Sequence, residues 1–209
     1  PQTFVDYEEQ PREYFLNAVS TVLDVHTRVS DLYSSPHDQI KEQLRLTIET
    51  IKELDIGWDG YRYTFPIYDA EGELLNVRRY KIDAGNANDK MINIPGHGSA
   101  QIYGLEDLAE YDTIVITEGE TDRVLLRQVL LGTKGAEKIG VVTHTAGAKT
   151  FRQNWAQYFA GKTVYIGYDN DEAGRMGAAK AARILAPFAD TVYRLEVPLD
   201  FQGADWTDW

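Results

Sequence analysis

The second half of the chain alternates short apolar runs with longer amphipathic segments, and this alternation constrains the fold more than any other feature. The apolar runs have the length and β-branched content of buried strands, and the segments between them have helical periodicity. The predicted strands are 114–116, 140–143, 164–168 and 192–197, and the predicted helices are 121–131, 149–159 and 172–185. Repeated strand–helix units indicate an α/β domain over residues 112–209, with helices flanking a parallel sheet.

Residues 1–56 are predicted to form a helical segment. Apolar side chains recur there at helical spacing in two runs, which a Ser-Ser-Pro sequence at 34–36 separates. The positions are Phe15, Val19, Val22 and Val29 in the first run and Ile40, Leu44, Ile48 and Ile51 in the second. No chemistry is evident in this segment, and we expect it to precede a catalytic part of the chain or to contact a partner.

Residues 57–111 are predicted to form a small mixed α+β subdomain. Aromatic and apolar residues alternate with polar ones over 61–67, as in a strand with one buried face. The composition of 69–72 is typical of a turn, and a second strand is expected around 75–82, so that the two strands make a hairpin. Residues 85–89, Gly-Asn-Ala-Asn-Asp, are predicted to form a loop.

The composition excludes several classes of protein. Hydrophobic residues make up 43% of the 209 residues and charged residues 26%, which is typical of a folded domain. No run is long enough to span a membrane, no secretory segment opens the chain and there is no cysteine, so we expect a cytoplasmic protein with no membrane partner. There is also no Walker-type loop, so the sequence encodes no helicase motor. The net charge of −12 argues against a protein whose main task is to hold the DNA backbone, but it suits a domain that meets phosphates through metal ions.

Acidic residues follow three of the predicted strands. They are Glu118, Glu120 and Asp122 after the first strand, Asp169 and Asp171 after the third, and Asp205 and Asp208 beyond the last. The carboxyl ends of parallel strands lie at one edge of a sheet, so these carboxylates are expected to converge there. Converging carboxylates raise one another's pKa values, and a hard cation such as Mg²⁺ relieves that repulsion. Two such ions can stabilise both oxygens of nucleotidyl transfer or of phosphodiester cleavage.

Each of these acids also has a purely structural interpretation. Asp171 could cap the helix that follows it, and Asp122 could lie in a first helical turn, where the helix dipole favours a carboxylate. Glu120 could be solvated surface. A Glu-Gly pair after one strand combined with an Asp-Asn-Asp triplet after a later strand nevertheless favours a functional site.

Three motifs resemble those of Toprim domains. Residues 116–122 (ITEGETD) resemble the glutamate motif, and residues 168–175 (YDNDEAGR) resemble the Asp-x-Asp motif in the form common in primases. Residues 203–208 (GADWTD) resemble the acidic motif that follows in primases and phage primase–helicases, with Ala204 where lysine is usual. The resemblance implies a Toprim-type sheet and an Mg²⁺ or Mn²⁺ site. The implied catalytic and metal-binding residues are Glu118, Asp169 and Asp171, with Asp205 as a further ligand and Asp122 and Asp208 as additional acids.

The region before this domain resembles the small subdomain that precedes Toprim in bacterial-type, DnaG-like primases. Trp58, the aromatic strand at 63–67, an Arg-Arg-Tyr sequence at 78–80, KMIN at 90–93 and IYGL at 102–105 carry the likeness in order. It implies a groove for template and nucleotides. The implied nucleic-acid or nucleotide-binding residues are Arg78, Arg79, Lys90 and Asn93, together with Lys149, which could hold a phosphate near a helix N-terminus. The alternative for these cations is a solvated surface.

These features predict the catalytic core of a DNA primase. Such an enzyme is a nucleotidyltransferase that makes short RNA primers on a single-stranded DNA template from ribonucleoside triphosphates. A replicative helicase, fused or separate, is the expected partner, and the chain is expected to be a piece of a larger protein. A Toprim-type metal-dependent nuclease and a non-catalytic replication module that binds DNA or a helicase are the alternatives.

Overall fold

The structure is a computed structural model that describes residues 44–199 and 201–208. The first predicted helix of the N-terminal segment therefore lies outside the described residues. The described chain forms two sheets, a four-stranded one with strand order β1-β2-β3-β4 and a five-stranded one with order β5-β7-β6-β8-β9. No helix in this part of the chain is long and apolar enough to cross a bilayer.

The four-stranded sheet is antiparallel throughout. Its strands are β1 (Gly57–Trp58), β2 (Tyr63–Tyr68), β3 (Leu74–Tyr80) and β4 (Met91–Asn93). Two short helices accompany it, α1 (Ile48–Glu53) before β1 and α2 (Ala87–Lys90) before β4. The predicted hairpin is confirmed, since β2 pairs with β3 and places Tyr63 opposite Tyr80. At the turn, Asp69 Oδ1 accepts hydrogen bonds from the backbone of Glu71 and Glu73. Strands β1 and β4, which flank the hairpin on either side, were not predicted from the sequence.

The five-stranded sheet confirms the predicted α/β architecture. Its strands are β5 (Ile102–Tyr103), β6 (Thr113–Thr117), β7 (Ile139–His144), β8 (Thr163–Gly167) and β9 (Thr191–Arg194). Its helices are α3 (Leu105–Glu110), α4 (Glu120–Leu131) and α5 (Glu172–Leu185), with two 3₁₀ helices at Ala148–Thr150 and Gln153–Phe159. Strands β6 to β9 are parallel, with β6 between β7 and β8, and β5 pairs antiparallel at the edge.

Alternate residues of the central strands pack into cores on opposite faces of this sheet. Ile114 and Ile116 of β6 join one core, which also holds Ala181 and Leu185 of α5. Val115 faces the other core, with Leu126 of α4 and Trp206. This alternation has the period of two that an extended strand imposes, and it explains why the strands read as continuous apolar runs.

Three local predictions were wrong. The helix predicted over 149–159 is two 3₁₀ helices, because Phe151 between them leaves helical geometry and is buried against Trp155 and Phe159. The apolar run from Ile40 to Ile51 is not one helix, since Arg45 has a φ of 53° and α1 begins only after the cap at Thr47. The loop predicted at 85–89 contains the helical turn α2, which Asn86 caps by accepting a hydrogen bond from the Asp89 N–H.

Candidate active site

Glu118 and Asp169 meet at the carboxyl edge of the parallel sheet. Each follows the end of a strand, and the strands β6 and β8 are neighbours paired as far as Thr117 and Gly167. The Asp169 N–H donates to Glu118 Oε2 over 3.4 Å, and the Ala148 N–H is a second backbone donor to the Glu118 carboxylate. Glu118 is therefore held by backbone from two separate loops, as the strand-end position in the sequence predicts.

Asp171 has the capping role that the sequence left open. Its Oδ1 accepts a hydrogen bond of 2.6 Å from the Gly174 N–H at the start of α5. Gly174 is required here, since a Cβ at this position would lie 2.3 Å from the carbonyl oxygen of Asp169. The capping geometry thus packs the first turn of α5 against Asp169, and the charge of Asp171 still acts on both Glu118 and Asp169.

Asp122 lies in the first turn of α4 and is almost fully buried. Its Oδ2 accepts a hydrogen bond of 3.2 Å from the N–H of Gly119, the N-cap residue of α4. Its other oxygen, Oδ1, is buried and has no hydrogen-bond partner among the described residues. Burial first, and then the charge of Asp205, raises the pKa of Asp122 to about 7. Asp122 is therefore a buried acid in the first turn of α4 whose pKa responds to the neighbouring Asp205.

The two C-terminal acids differ in their surroundings. Asp205 Oδ1 accepts from the backbone and hydroxyl of Thr207 and from the backbone of Asp208, and its charge acts on Asp122, Glu118 and Asp169. Asp208 is exposed, and its Oδ2 accepts from the Asp205 N–H. Asp205 therefore belongs to the acidic group, whereas Asp208 shapes the turn that carries it.

Trp206 anchors this turn, and sequence reasoning missed its role. It is buried, and its indole N–H donates to the carbonyl of Gly167 at the end of β8 over 2.9 Å. A Cβ at Gly167 would meet the indole ring at 3.0 Å, so the glycine makes room for it. The contact brings the C-terminal acidic motif to the same sheet edge as the other two, which the sequence separation hid.

The electrostatics of the group are those of crowded carboxylates. Burial first, and then the charges of Glu118, Asp122, Asp205 and Asp171, raise the pKa of Asp169 to about 8. Burial also raises the pKa of Glu118, with Asp171 and Asp205 adding to the effect and the two backbone donors opposing it. Asp169 Oδ1 is buried without a hydrogen-bond partner. We call Glu118, Asp122, Asp169, Asp171 and Asp205 the acidic centre.

The donors of the acidic centre are all oxygens, the kind that Mg²⁺ and Mn²⁺ prefer, and a divalent cation would offset their repulsion. The orphaned oxygens of Asp122 and Asp169 are suited to such an ion. Within residues 44–199 and 201–208, however, no three acidic or imidazole groups stand close enough together to form a ready-made metal cluster. The residues thus fit a metal ion in chemistry, while their side chains are not arranged as a closed cage.

The basic residues predicted to bind nucleic acid divide into two sets. Arg78 is only 7% exposed and is bound by Glu120 and Asn93, while Arg79 is bound by Asp59 over 2.5 Å. Asn93 uses its Oδ1 to accept from Arg78, so this oxygen is also occupied within the protein. Lys90 and Lys149 are exposed. The protein's own contacts therefore occupy Arg78 and Asn93, and the solvent-facing cations are elsewhere.

The IYGL landmark has a packing role that sequence reasoning also missed. Gly104 has a φ of 102°, and a Cβ there would lie 2.5 Å from Nε of the fully buried Arg123. The Arg123 guanidinium lies 4.0 Å from the Tyr103 ring centroid and donates to the Val141 carbonyl over 2.8 Å. The IYGL motif thus packs around Arg123, the residue of α4 that follows Asp122 in the sequence.

A buried histidine stands behind the acidic centre. His144 Nε2 lies 2.6 Å from the hydroxyl of Tyr168, the residue before Asp169, and Nδ1 lies 3.4 Å from the Thr150 hydroxyl, beyond Ala148. Burial lowers the pKa of His144 to about 4, with the charge of Lys180 adding to the effect, so the imidazole is neutral at pH 7. His144 therefore connects the two loops whose backbone holds Glu118.

Two family models match separate parts of the chain. The model described as Toprim-like matches residues 115–209, and the model of the type 2A encapsulin shell protein SrpI-like family matches residues 1–56. The second likeness was not foreseen from the sequence motifs.

The curated relatives resemble only a short part of the chain. The type 2A encapsulin shell protein SrpI of Synechococcus elongatus is 58% identical over 80 residues, which is 38% of this chain and 21% of that protein. The type 2A encapsulin shell protein of Mycobacterium leprae is 79% identical over 53 residues, which is 25% of this chain and 17% of that protein. The matches thus span about a fifth of the length of these relatives or less.

Solved primase structures resemble most of the chain in fold. A DnaG catalytic core superposes with a TM-score of 0.69 at 21% identity and covers 93% of this chain and 74% of that one. The RNA polymerase domain of Mycobacterium tuberculosis DnaG gives 0.63 at 17% identity, covering 96% and 79%. The primase fragment of the bacteriophage T7 primase–helicase protein gives 0.59 at 22% identity, covering 77% and 63%. Residues 115–209 thus match the Toprim-like family model, and the chain has the fold of primase catalytic cores.

Proposed function

We propose that this protein is a DNA primase catalytic core, which joins ribonucleoside triphosphates into short RNA primers on single-stranded DNA. The observation that carries the proposal is the meeting of Glu118 and Asp169 at the carboxyl edge of a primase-type sheet, where the pKa values of both carboxyls are raised. Crowded carboxylates at this edge suit phosphoryl transfer assisted by divalent metal ions. The likeness of the surrounding fold to primase catalytic cores supports nucleotidyl transfer over the other reactions of that class.

The proposed roles follow from the contacts of each acid. Asp169, Asp171 and Asp205 would hold Mg²⁺ or Mn²⁺. Oδ1 of Asp169 and Oδ1 of Asp122, which have no hydrogen-bond partner among the described residues, would be available as donors. The bound metal supplies electrostatic stabilisation of the transferring phosphoryl group. Glu118, oriented by the N–H groups of Ala148 and Asp169, is the leading ligand or the base that takes the proton from the attacking hydroxyl.

The partners follow from the same proposal. Single-stranded DNA is the template, ribonucleoside triphosphates are the substrates, and a replicative helicase is the expected protein partner. The solved neighbours include a DnaG primase catalytic domain bound to single-stranded DNA and the primase fragment of the bacteriophage T7 primase–helicase protein. Within this chain, Lys90 and Lys149 are the solvent-facing members of the predicted nucleic-acid set.

A priming assay separates this proposal from its rivals. The chain is incubated with single-stranded DNA, Mn²⁺ and labelled ribonucleotides, and labelled oligoribonucleotides are the expected product. A shortened template without primers would indicate the Toprim nuclease. Neither product, with the fold intact, would indicate a non-catalytic replication module. Glu118→Gln serves as the inactive control.

A second function is proposed for the N-terminal segment alone. Residues 1–56 match the shell-protein model, and the mycobacterial shell proteins are 77–79% identical to this chain over 53 residues. This identity is far above that to the solved primases, so the segment is proposed to associate with type 2A encapsulin subunits. We accordingly propose the division 1–56, 57–111 and 112–209. In this division residues 1–56 associate with the shell subunits, and the other two parts together catalyse primer synthesis.

The end of this segment is part of the folded core. Leu46 and Ile51 pack in one cluster with Phe65 of β2. The side chain of Gln128 on α4 accepts from the Thr47 N–H over 2.6 Å and donates to the Arg45 carbonyl over 2.9 Å. A truncation that tests shell association should therefore remove residues 1–43 and leave these contacts in place. Co-expression with a type 2A shell protein should bring the full chain, but not the truncated one, into the assembled-shell fraction on size exclusion. Equal recovery of both would contradict this role.

A further inference from the structure

Cations gather on one exposed surface beside the acidic centre. Arg175, Lys180 and Arg183 are exposed on α5, and Lys149 and Arg152 are exposed in and just after the neighbouring 3₁₀ helix. We call these five residues the α5 basic face. Along α5 the only acid is Glu172 in the first turn, although the whole chain carries a net charge of −12.

The α5 basic face lacks counter-ions. Among the described residues, none of its members has a carboxylate within 4.0 Å, whereas the arginines of the four-stranded sheet are paired. Those pairs are Arg62–Asp89, Arg78–Glu120 and Arg79–Asp59. Lys180 Nζ instead donates to the backbone carbonyl of Lys149 over 2.6 Å, which ties α5 to the 3₁₀ helix that carries Lys149. Exposed cations that have no carboxylate partner among the described residues are available to attract a polyanion.

This surface is continuous with the acidic centre. The 3₁₀ helix that carries Lys149 begins at Ala148, whose N–H donates to Glu118. The helix α5 packs tightly on the same residue, since a Cβ at Gly177 would lie 2.6 Å from the Ala148 carbonyl oxygen. The charge of Lys180 also reaches inward far enough to lower the pKa of His144. Lys149 is therefore one residue away from a backbone donor to the acidic centre, and α5 packs against that same segment.

We propose that the α5 basic face binds the phosphate backbone of single-stranded DNA on the side of the acidic centre formed by α5. Exposed lysines and arginines without carboxylate partners contact phosphates without reading sequence, so this binding is sequence-independent and sensitive to salt. The identity of the strand as template rests on the proposed function, whereas the binding itself needs neither metal nor nucleotide.

The test measures fluorescence anisotropy of a labelled single-stranded oligonucleotide across a salt series, without metal or nucleotide. Lys180→Gln plus Arg183→Gln is compared with Lys134→Gln plus Lys138→Gln. The two control lysines are exposed before β7, at the amino ends of the parallel strands and away from the acidic centre, and their replacement changes the net charge equally. Each lost phosphate contact should reduce the salt slope by about 0.7, so the α5 variant should lose about 1.4 and bind roughly tenfold or more weakly at about 50 mM salt.

Two results would overturn the inference: equal weakening by both variants, or DNA binding by the α5 variant that equals that of the parent. Unfolding temperatures of the variants establish that each is folded. The priming assay is run separately on the parent chain. If the parent chain makes primers but the α5 variant binds DNA as tightly as the parent, only this inference is refuted. If the α5 variant binds DNA more weakly but the parent chain makes no primers, only the proposed primase activity is refuted.

Discussion

Arg78 and Glu120 form a buried ion pair that joins the two sheets, with 2.6 Å between Nε and Oε1. Arg78 lies on β3 of the four-stranded sheet, and Glu120 is the first residue of α4 beside the acidic centre. The arginine also donates to Asn93 Oδ1 over 2.8 Å, so β4 belongs to the same network. A residue expected to contact nucleic acid is thus a structural link between the four-stranded sheet and α4, which packs on the five-stranded sheet.

Removal of one partner of this pair should destabilise the protein strongly. Glu120→Gln or Arg78→Met leaves the other group buried and uncompensated, and such changes cost about 3–5 kcal/mol. Urea unfolding of each single variant and of the double variant Arg78→Met/Glu120→Gln measures the coupling. The double variant should cost less than the sum of the singles. Single variants as stable as the parent would show that the pair contributes nothing.

Glu118→Gln should abolish primer synthesis and leave stability nearly unchanged. Glu118 is half-buried and its proposed role is chemical, so the loss of its charge should reduce the rate by at least ~100-fold, the size of a general acid–base contribution. The matched control is Glu172→Gln, an exposed acid in the first turn of α5. A Glu118→Gln variant that makes primers at the parental rate would remove this residue from the mechanism.

Metal binding should depend on the acids that follow β8. Calorimetry with Mn²⁺ should show greatly weakened binding in Asp169→Ala plus Asp171→Ala, since both charges act within the acidic centre. The control is Asp208→Ala, which is exposed and lies in the turn after Asp205. If the first variant, still folded, keeps the parental affinity, the metal lies elsewhere.

The stability of the metal-free protein should fall as pH rises. The folded pKa of Asp169 is about 8, well above the unfolded value near 4, so the folded state holds the proton more tightly. Its contribution is therefore fully present below about pH 4 and is lost progressively between about pH 4 and pH 8. Asp169→Asn should raise the unfolding temperature at pH 8 by about 2–4 °C, which corresponds to ~1 kcal/mol, and should have less effect at pH 5. A variant with the same pH dependence as the parent would contradict the raised pKa.

His144 and Tyr168 should be energetically coupled. Tyr168→Phe leaves one nitrogen of a buried neutral imidazole without its partner, at a cost of about 1–3 kcal/mol. The double variant His144→Phe/Tyr168→Phe removes both polar groups, so a double-mutant cycle should show a coupling of at least 0.5 kcal/mol. Because His144 connects the loops that hold Glu118, the same variants should weaken Mn²⁺ binding. Additive stability effects and unchanged metal affinity would show the contact to be incidental.

The sequence alone determined the layered architecture and the position of the acids along it. The strands at 114–116 and 164–168 are apolar runs of strand length, and α5 was predicted with both ends correct because Asp171 caps it and its apolar stripe is regular. A residue at the carboxyl end of a parallel strand must lie at one edge of the sheet. For this reason Glu118 and Asp169 could be expected to meet before any coordinates were known.

Only the tertiary structure decided which charges are free. Arg78, Arg79 and Lys90 are all basic residues of the same predicted groove, yet the pleat of β3 turns Arg78 inward to Glu120, whereas Lys90 is exposed at the end of α2. The approach of Trp206 to Gly167 and of His144 to Tyr168 likewise joins residues that are far apart in the chain. Local periodicity reports which face of an element is apolar, whereas ion pairs and orphaned carboxylate oxygens depend on which elements pack together. That packing is a property of the whole fold, and it cannot be predicted from the periodicity of residues that are close together in the sequence.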